Sequence, residues 1–253
     1  MRLTILVAAA MLAGCTTLGP AAERLYPAHA ASEDRMPVIL IPGLLGSRLA
    51  RARDGVEIWP GGVGKLLTSD YTDLALRIDP GTLEPLDDGL VPGGIFEGAA
   101  GIDFYRRIMQ ELREAGGYRI MEPGRPLVQQ RARLYVFTYD WRQDIVKTVR
   151  KLDELIEQIR ADYRDPQLRV DVIAHSLGGL IVRYFERYGT VDVLEGNSFA
   201  VTGLGLSKLR RVVLLGTPNQ GTVTAVHMFL NGYRVGISAE EAGARHEQTV
   251  RHA

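Results

Sequence analysis

The sequence predicts an α/β protein with a mostly parallel sheet and helices on both of its faces. Three observations carry that prediction. Apolar runs rich in β-branched or aromatic residues recur at 38–41, 133–138, 168–174 and 211–215, and near-continuous apolar runs suit strands covered on both sides. Helical patterns lie between them at 102–115, 143–163 and 177–188, and strands alternating with helices close into a right-handed parallel sheet. One junction is abrupt: Val172-Ile-Ala-His-Ser-Leu-Gly-Gly-Leu180 passes from a hydrophobic strand into a helix through a single serine.

The first informative stretch is the N-terminus. Arg2 precedes an apolar run over 3–12, followed by Ala13, Gly14 and Cys15. A charged start, about ten apolar residues and small residues before a cut site describe an export signal, and the run is too short to span a bilayer, which takes about 20 residues. Leu12-Ala13-Gly14-Cys15 resembles the bacterial lipobox, in which the cysteine is lipidated and becomes the mature N-terminus; the other reading is an ordinary signal with an incidental cysteine. Cys15 is the only cysteine among 253 residues, so no disulfide forms within the chain. Residues 16–36 are small and polar and read as a tether.

From residue 37 the chain reads as one domain up to 237. Apolar residues make up 46% and charged residues 24%, enough for a sizeable core. The formal net charge is +0 with no basic stripe, which excludes a nucleic-acid partner as the main role. Pro42-Gly43 ends the first strand. Residues 47–101 are dense in Gly, Pro and Asp and read as a long excursion from the sheet, either a loop or a small cap. The helix expected at 102–115 places Phe104, Ile108 and Leu112 four residues apart, and Gly116-Gly117 stops it. In the helix at 143–163, Ile145, Val149, Leu152, Ile156 and Ile159 step by four and three, which keeps one face on a core. Residues 189–209 read as a loop. In the last segment, 238–253, the only large aliphatic residue is Val250, so it reads as a polar tail.

The serine junction carries the chemistry. It matches the nucleophile elbow, Gly-x-Ser-x-Gly, with Ala174 in the first glycine position and Gly178 in the second. Both neighbours must be small because strand and helix nearly touch there. The turn lifts Ser176 above the sheet edge, and the backbone N–H of Leu177 sits at a helix N-terminus, where it can donate to a developing oxyanion. The alternative is a strand–helix link with a capping serine. A second oxyanion donor should come from the loop after an earlier strand. Pro42-Gly43-Leu44-Leu45-Gly46 lies there, with the N–H of Leu44 as the candidate.

Four stretches then resemble one family: Val38-Ile-Leu-Ile-Pro-Gly-Leu-Leu-Gly-Ser47, Tyr139-Asp140-Trp141-Arg142, the Ala174-to-Gly179 elbow, and Gly216-Thr-Pro-Asn-Gln-Gly221. Together, over about 37–235, they look like the lecithin:cholesterol acyltransferase family, which includes lysosomal phospholipase A and the phospholipid:diacylglycerol acyltransferases. The resemblance implies an α/β-hydrolase fold and an acyl-enzyme on Ser176. The acyl group would come from a phospholipid or other lipid ester and pass to an alcohol or to water. It implies no metal or organic cofactor. In Tyr139-Asp140-Trp141-Arg142, Asp140 and Arg142 are expected to bind loop backbone and each other while Trp141 packs. Trp59, in a Gly/Pro-rich loop, reads either as an aromatic that inserts at a lipid interface or as the centre of a small local core.

The chain departs from the family where the base and its carboxylate should follow, in the order Ser, acid, His. The later histidines are His227, His246 and His252; the later carboxylates are Asp192, Glu195, Glu240, Glu241 and Glu247. Asp192 precedes the 211–215 strand, and Glu241 and His246 lie in the polar tail. His175 adjoins the serine, where adjacent side chains diverge, and reads as packing. The expectation is therefore an α/β-hydrolase incomplete at its C-terminal side, with the catalytic acid and His beyond the end of this chain. The function expected is a lipid acyltransferase or lipase of the bacterial envelope, exported and held at the membrane through Cys15. The alternative is a catalytically inactive, truncated lipoprotein of the same descent.

Overall fold

The computed structural model describes residues 35–99, 101–126, 132–195 and 199–231. Cys15, all but the end of the tether, and the 238–253 tail lie outside these. The chain opens with β1 (Val38–Ile41), whose four residues are all buried. An excursion follows, with β2 (Ser47–Arg51), β3 (Glu57–Trp59), α1 (Gly62–Thr68), β4 (Leu90–Ile95), β5 (Gly98–Ala99) and β6 (Ile102–Asp103). Next come α2 (Arg106–Glu114), β7 (Arg119–Ile120), β8 (Arg133–Val136), α3 (Ile145–Tyr163), β9 (Val170–His175), α4 (Leu177–Tyr188), β10 (Leu209–Leu215) and α5 (Val223–Asn231).

The main sheet runs β10-β9-β1-β8-β7, and every pairing in it is parallel. Alternate residues of β1 serve different layers. Ile39 and Ile41 pack with Val149, Leu152, Ile156 and Ile159 of α3 and with Ile181 of α4. Val38 and Leu40 pack with Met109 of α2 and with Leu134. Helices thus cover both faces, which makes this an α/β-hydrolase-type three-layer fold. Each fully buried Leu or Ile contributes about 1.5–3 kcal/mol relative to exposure, so the central strand and α3 dominate the core. Asp144 starts α3 by accepting a hydrogen bond from the N–H of Val146 at 2.6 Å, and Arg164 ends it in the left-handed conformation.

The order also locates the site. From β1 the chain places β8 and β7 on one side and β9 and β10 on the other. In open α/β sheets, sites lie at the carboxyl ends of the strands where such an order reverses, which here are the ends of β1 and β9.

One expectation is corrected. The helix expected at 102–115 begins only at Arg106. Ile102–Asp103 pairs instead with Gly98–Ala99, and Phe104 stacks on Phe96 with ring centroids 5.1 Å apart, so its place in the four-residue spacing was coincidental. The excursion is more ordered than its composition suggests. β2 pairs antiparallel with β3 and β4, and register shifts in both pairings, with Pro92, Gly93 and Gly94 in β4, erase the alternation that would announce strands. Leu49, Trp59 and Phe96 form a separate buried cluster there. Trp59 is 2% exposed, packs against Tyr71, Phe96 and Trp141, and donates its indole N–H to the carbonyl of Leu45 at 2.8 Å. It is therefore the centre of a local core, and the interfacial reading of this residue fails.

Candidate active site

Ser176 sits between the last residue of β9 and the first of α4, with φ 50° and ψ −119°. A non-glycine residue held at positive φ stores about 1–3 kcal/mol of strain, which the surroundings must hold in place. They do so here through the backbone. The N–H of Ser176 donates to the carbonyl of Leu215 at 2.9 Å, and its carbonyl accepts from the N–H of Gly179 at 3.0 Å. The small neighbours are sterically required. Ala174 is fully buried. A Cβ on Gly178 would lie 2.6 Å from the carbonyl oxygen of Pro42 and 2.7 Å from that of Ile41. A Cβ on Gly179 would strike the Thr217 side chain. The elbow is thus wedged between the ends of β1 and β10.

The loop after β1 comes up against the same serine. A Cβ on Gly43 would lie 2.8 Å from Cβ of Ser176, so only glycine lets this backbone approach so closely. The N–H of Gly46 closes the turn on the carbonyl of Gly43 at 3.0 Å, and Leu45 takes the left-handed conformation at φ 62°. Leu44, between them, is 51% exposed. Leu177 opens α4, where the first N–H groups lack intrahelical acceptors. The structure thus brings Ser176, the loop at Leu44 and the helix start at Leu177 to one place.

Four aromatic side chains hydrogen-bond to that loop or to the residue that follows it. Tyr139 donates its hydroxyl to the carbonyl of Pro42 at 2.9 Å. Trp141 donates its indole N–H to the carbonyl of Ser47 at 3.0 Å, and Trp59 binds Leu45 as described. Tyr105, the residue before α2, accepts from the N–H of Gly43 at 2.7 Å, and its hydroxyl also lies 2.7 Å from Nδ1 of His175. The Tyr139–Arg142 stretch is therefore a brace for the loop. Arg142 reaches both oxygens of Asp140 at 2.9 and 2.7 Å and both oxygens of Asp88 at 2.6 and 3.3 Å, tying the β8 loop to the excursion. Burial opposes the charge on Asp88, yet the hydrogen bonds from Arg142 and from the Leu90 N–H hold its carboxyl below the usual range. Burial likewise opposes the charge on Arg142, but its two carboxylate partners raise its pKa overall.

Tyr105 escaped the sequence reading. Its neighbour Phe104 carried the apparent helical spacing, and no local pattern marks a side chain whose partners are 62 and 70 residues away. Burial raises the pKa of its phenol and lowers that of the His175 imidazole, which favours the neutral form of each. His175 directs Nδ1 to Tyr105. Asp192 caps a turn by accepting from Leu194, beyond the far end of α4, whose twelve residues put it roughly 18 Å from Ser176 along the helix. His227 is exposed on α5. His246, His252, Glu240, Glu241 and Glu247 lie outside the described residues. Among the described residues, no cluster of His, Cys, Asp and Glu could hold a metal ion, and no helix is long and apolar enough to cross a membrane.

A parallel sheet whose central strands end in a serine elbow and a glycine loop defines the α/β-hydrolase class. Within that class, the lecithin:cholesterol acyltransferase family model matches residues 127–252, so over this stretch the chain is lecithin:cholesterol acyltransferase-like. The match takes in the Tyr139–Arg142 brace, the elbow and the 216–221 turn and continues into the tail; it does not include the loop after β1. No curated protein matches the chain. Among solved structures, "The crystal structure of Tle4-Tli4 complex" is similar at 17% identity and a TM-score of 0.45, covering 81% of this chain and 50% of that one. The chain thus spans half the length of that relative.

Proposed function

We propose that this chain transfers acyl groups from lipid esters through a serine acyl-enzyme on Ser176. The observation that supports it most directly is the strained backbone of Ser176 at the carboxyl end of β9, with the Gly43 loop packed onto it. In the proposed reaction Oγ of Ser176 adds to the ester carbonyl carbon as its proton passes to a base. The carbonyl oxygen becomes an oxyanion that accepts from the N–H groups of Leu44 and Leu177. The carbon–oxygen bond to the leaving alcohol then breaks, and the alcohol departs with a proton. The acyl group stays on Ser176 until an alcohol or water takes it. His175 is not the base in this scheme, because it is engaged with Tyr105. The family match to an acyltransferase of lipids supports a phospholipid or other lipid ester as donor. The proposal includes no metal or organic cofactor. It also places the chain outside the cytoplasm, held to the membrane by lipidated Cys15, as the residues before it suggest.

Two variants test this. Ser176→Ala should abolish labelling by a fluorophosphonate and any acyl transfer seen by mass spectrometry of products from a phospholipid vesicle. Labelling equal to the parent would remove Ser176 from the mechanism. Cys15→Ala should move the protein out of the membrane fraction or block removal of its first 14 residues. A parent that is membrane-bound through Cys15 yet inert towards both probe and vesicle would be a non-catalytic lipoprotein.

A further inference from the structure

We infer that Tyr105 is a positioning residue that locks the Leu44 loop onto the serine elbow by a directional chain, Gly43 N–H to Tyr105 hydroxyl to His175 Nδ1. Its kinetic consequence rests on the acyl-enzyme reading of Ser176; its structural content does not. Tyr105 is 5% exposed, and its hydroxyl lies between two partners, each at 2.7 Å. A backbone N–H can only donate, so the Gly43 bond occupies a lone pair of the phenol oxygen. The phenol has one hydrogen to give. If His175 carried its proton on Nδ1 and donated it to Tyr105, that buried hydroxyl hydrogen would face no acceptor among the described residues. An unpaired buried donor costs about 1–3 kcal/mol. The hydrogen therefore points to Nδ1, and His175 keeps its proton on Nε2.

The chain has a purpose that packing alone does not supply. The loop at 42–46 and the elbow at 174–178 come from different strands, and the oxyanion pocket exists only while they keep their spacing. Pro42, Ser47 and Leu45 are held by their carbonyls to Tyr139, Trp141 and Trp59, none of which adjoins Ser176 in the chain. Of these side-chain bonds, only that of Tyr105 joins the loop to a residue adjoining Ser176. It also makes His175 a fixed neutral strut and not a competing base.

The test uses the detergent-solubilised full chain and Tyr105→Phe, which keeps the ring and removes the hydroxyl. Nitrogen-15 spectra of the histidine rings, with the His175 signals identified by their loss in His175→Gln, read the tautomer directly. The parent should show His175 protonated on Nε2 with Nδ1 accepting a hydrogen bond, and Tyr105→Phe should lose the Nδ1 signature. The maximal rate of fluorophosphonate labelling should fall about 10- to 100-fold in Tyr105→Phe, while the probe concentration giving half that rate stays unchanged, since the donor is misplaced and the binding surface is not. A parent with His175 protonated on Nδ1 would overturn the inference, and so would a Tyr105→Phe protein that labels as fast as the parent. If the parent itself does not react with the probe, the acyl-enzyme reading fails, and the tautomer spectra alone decide the fate of the Tyr105 chain.

Discussion

Arg142 shows how much one side chain can be asked to hold. Its side chain is 5% exposed and those of Asp140 and Asp88 are 7% and 17% exposed, so the trio is largely out of water. Removing one partner of such a group leaves charges buried without compensation, which costs about 3–5 kcal/mol. Arg142→Ala should therefore lower stability by that amount in chemical denaturation, and Arg142→Lys should recover only part of it, since an ammonium cannot match the planar fork. The pH dependence has a definite sign. The Asp88 carboxyl is held below its ordinary value, so its contribution is complete above the unfolded pKa of about 3.9 and is lost as pH falls through the folded one. The parent should lose stability in acid more steeply than Arg142→Ala; parallel pH profiles for the two proteins would sink this account.

At the level of elements, the decisive contact is between the start of α4 and the end of β1. The Gly178 distances to the carbonyls of Ile41, the last residue of β1, and of Pro42 just after it are both too short for a side chain. Gly178→Ala must push α4 away from the sheet or twist the elbow, and such overpacking costs about 1–3 kcal/mol. The expected outcome is a lower denaturation midpoint together with slower fluorophosphonate labelling of Ser176. An alanine variant as stable and as reactive as the parent would mean that the helix and strand are less tightly apposed. The other elements tell a different story about what local sequence conveys. α3 is written in the four-and-three spacing of Val149, Leu152, Ile156 and Ile159, all fully buried, and in a capping aspartate. α2 is not, because Phe104 belongs to an aromatic pair with Phe96 and so imitates one turn of a helix that starts later.

The whole molecule has an uneven perimeter. Among the described residues β10 is an outer strand of the main sheet, paired only with β9, and Val213, Leu214 and Leu215 are 49%, 36% and 36% exposed. Apolar outer strands template pairing between molecules, and a lysine is the common protection. Val213→Lys should slow aggregation in light scattering while shifting stability by no more than about 0.5 kcal/mol, as surface substitutions usually do. A marked loss of stability would show that Val213 is not a free surface position.

Local patterns in the chain were enough for the parallel sheet, the elbow and the glycine loop. Continuous apolar runs, helical spacing and a serine flanked by small residues are all consequences of near-neighbour geometry, and each can be read within about ten positions. The burial of Trp59, the brace formed by Tyr139 and Trp141, the reach of Arg142 to Asp88 and the placement of Tyr105 could not be read in that way. Each depends on partners tens of residues away that meet only once β1, β8 and β9 lie side by side. The same holds for the fate of a lone aromatic in a Gly/Pro-rich loop: whether it faces lipid or a buried neighbour is decided by which strands pair around it, and strand pairing is a long-range event that composition does not encode.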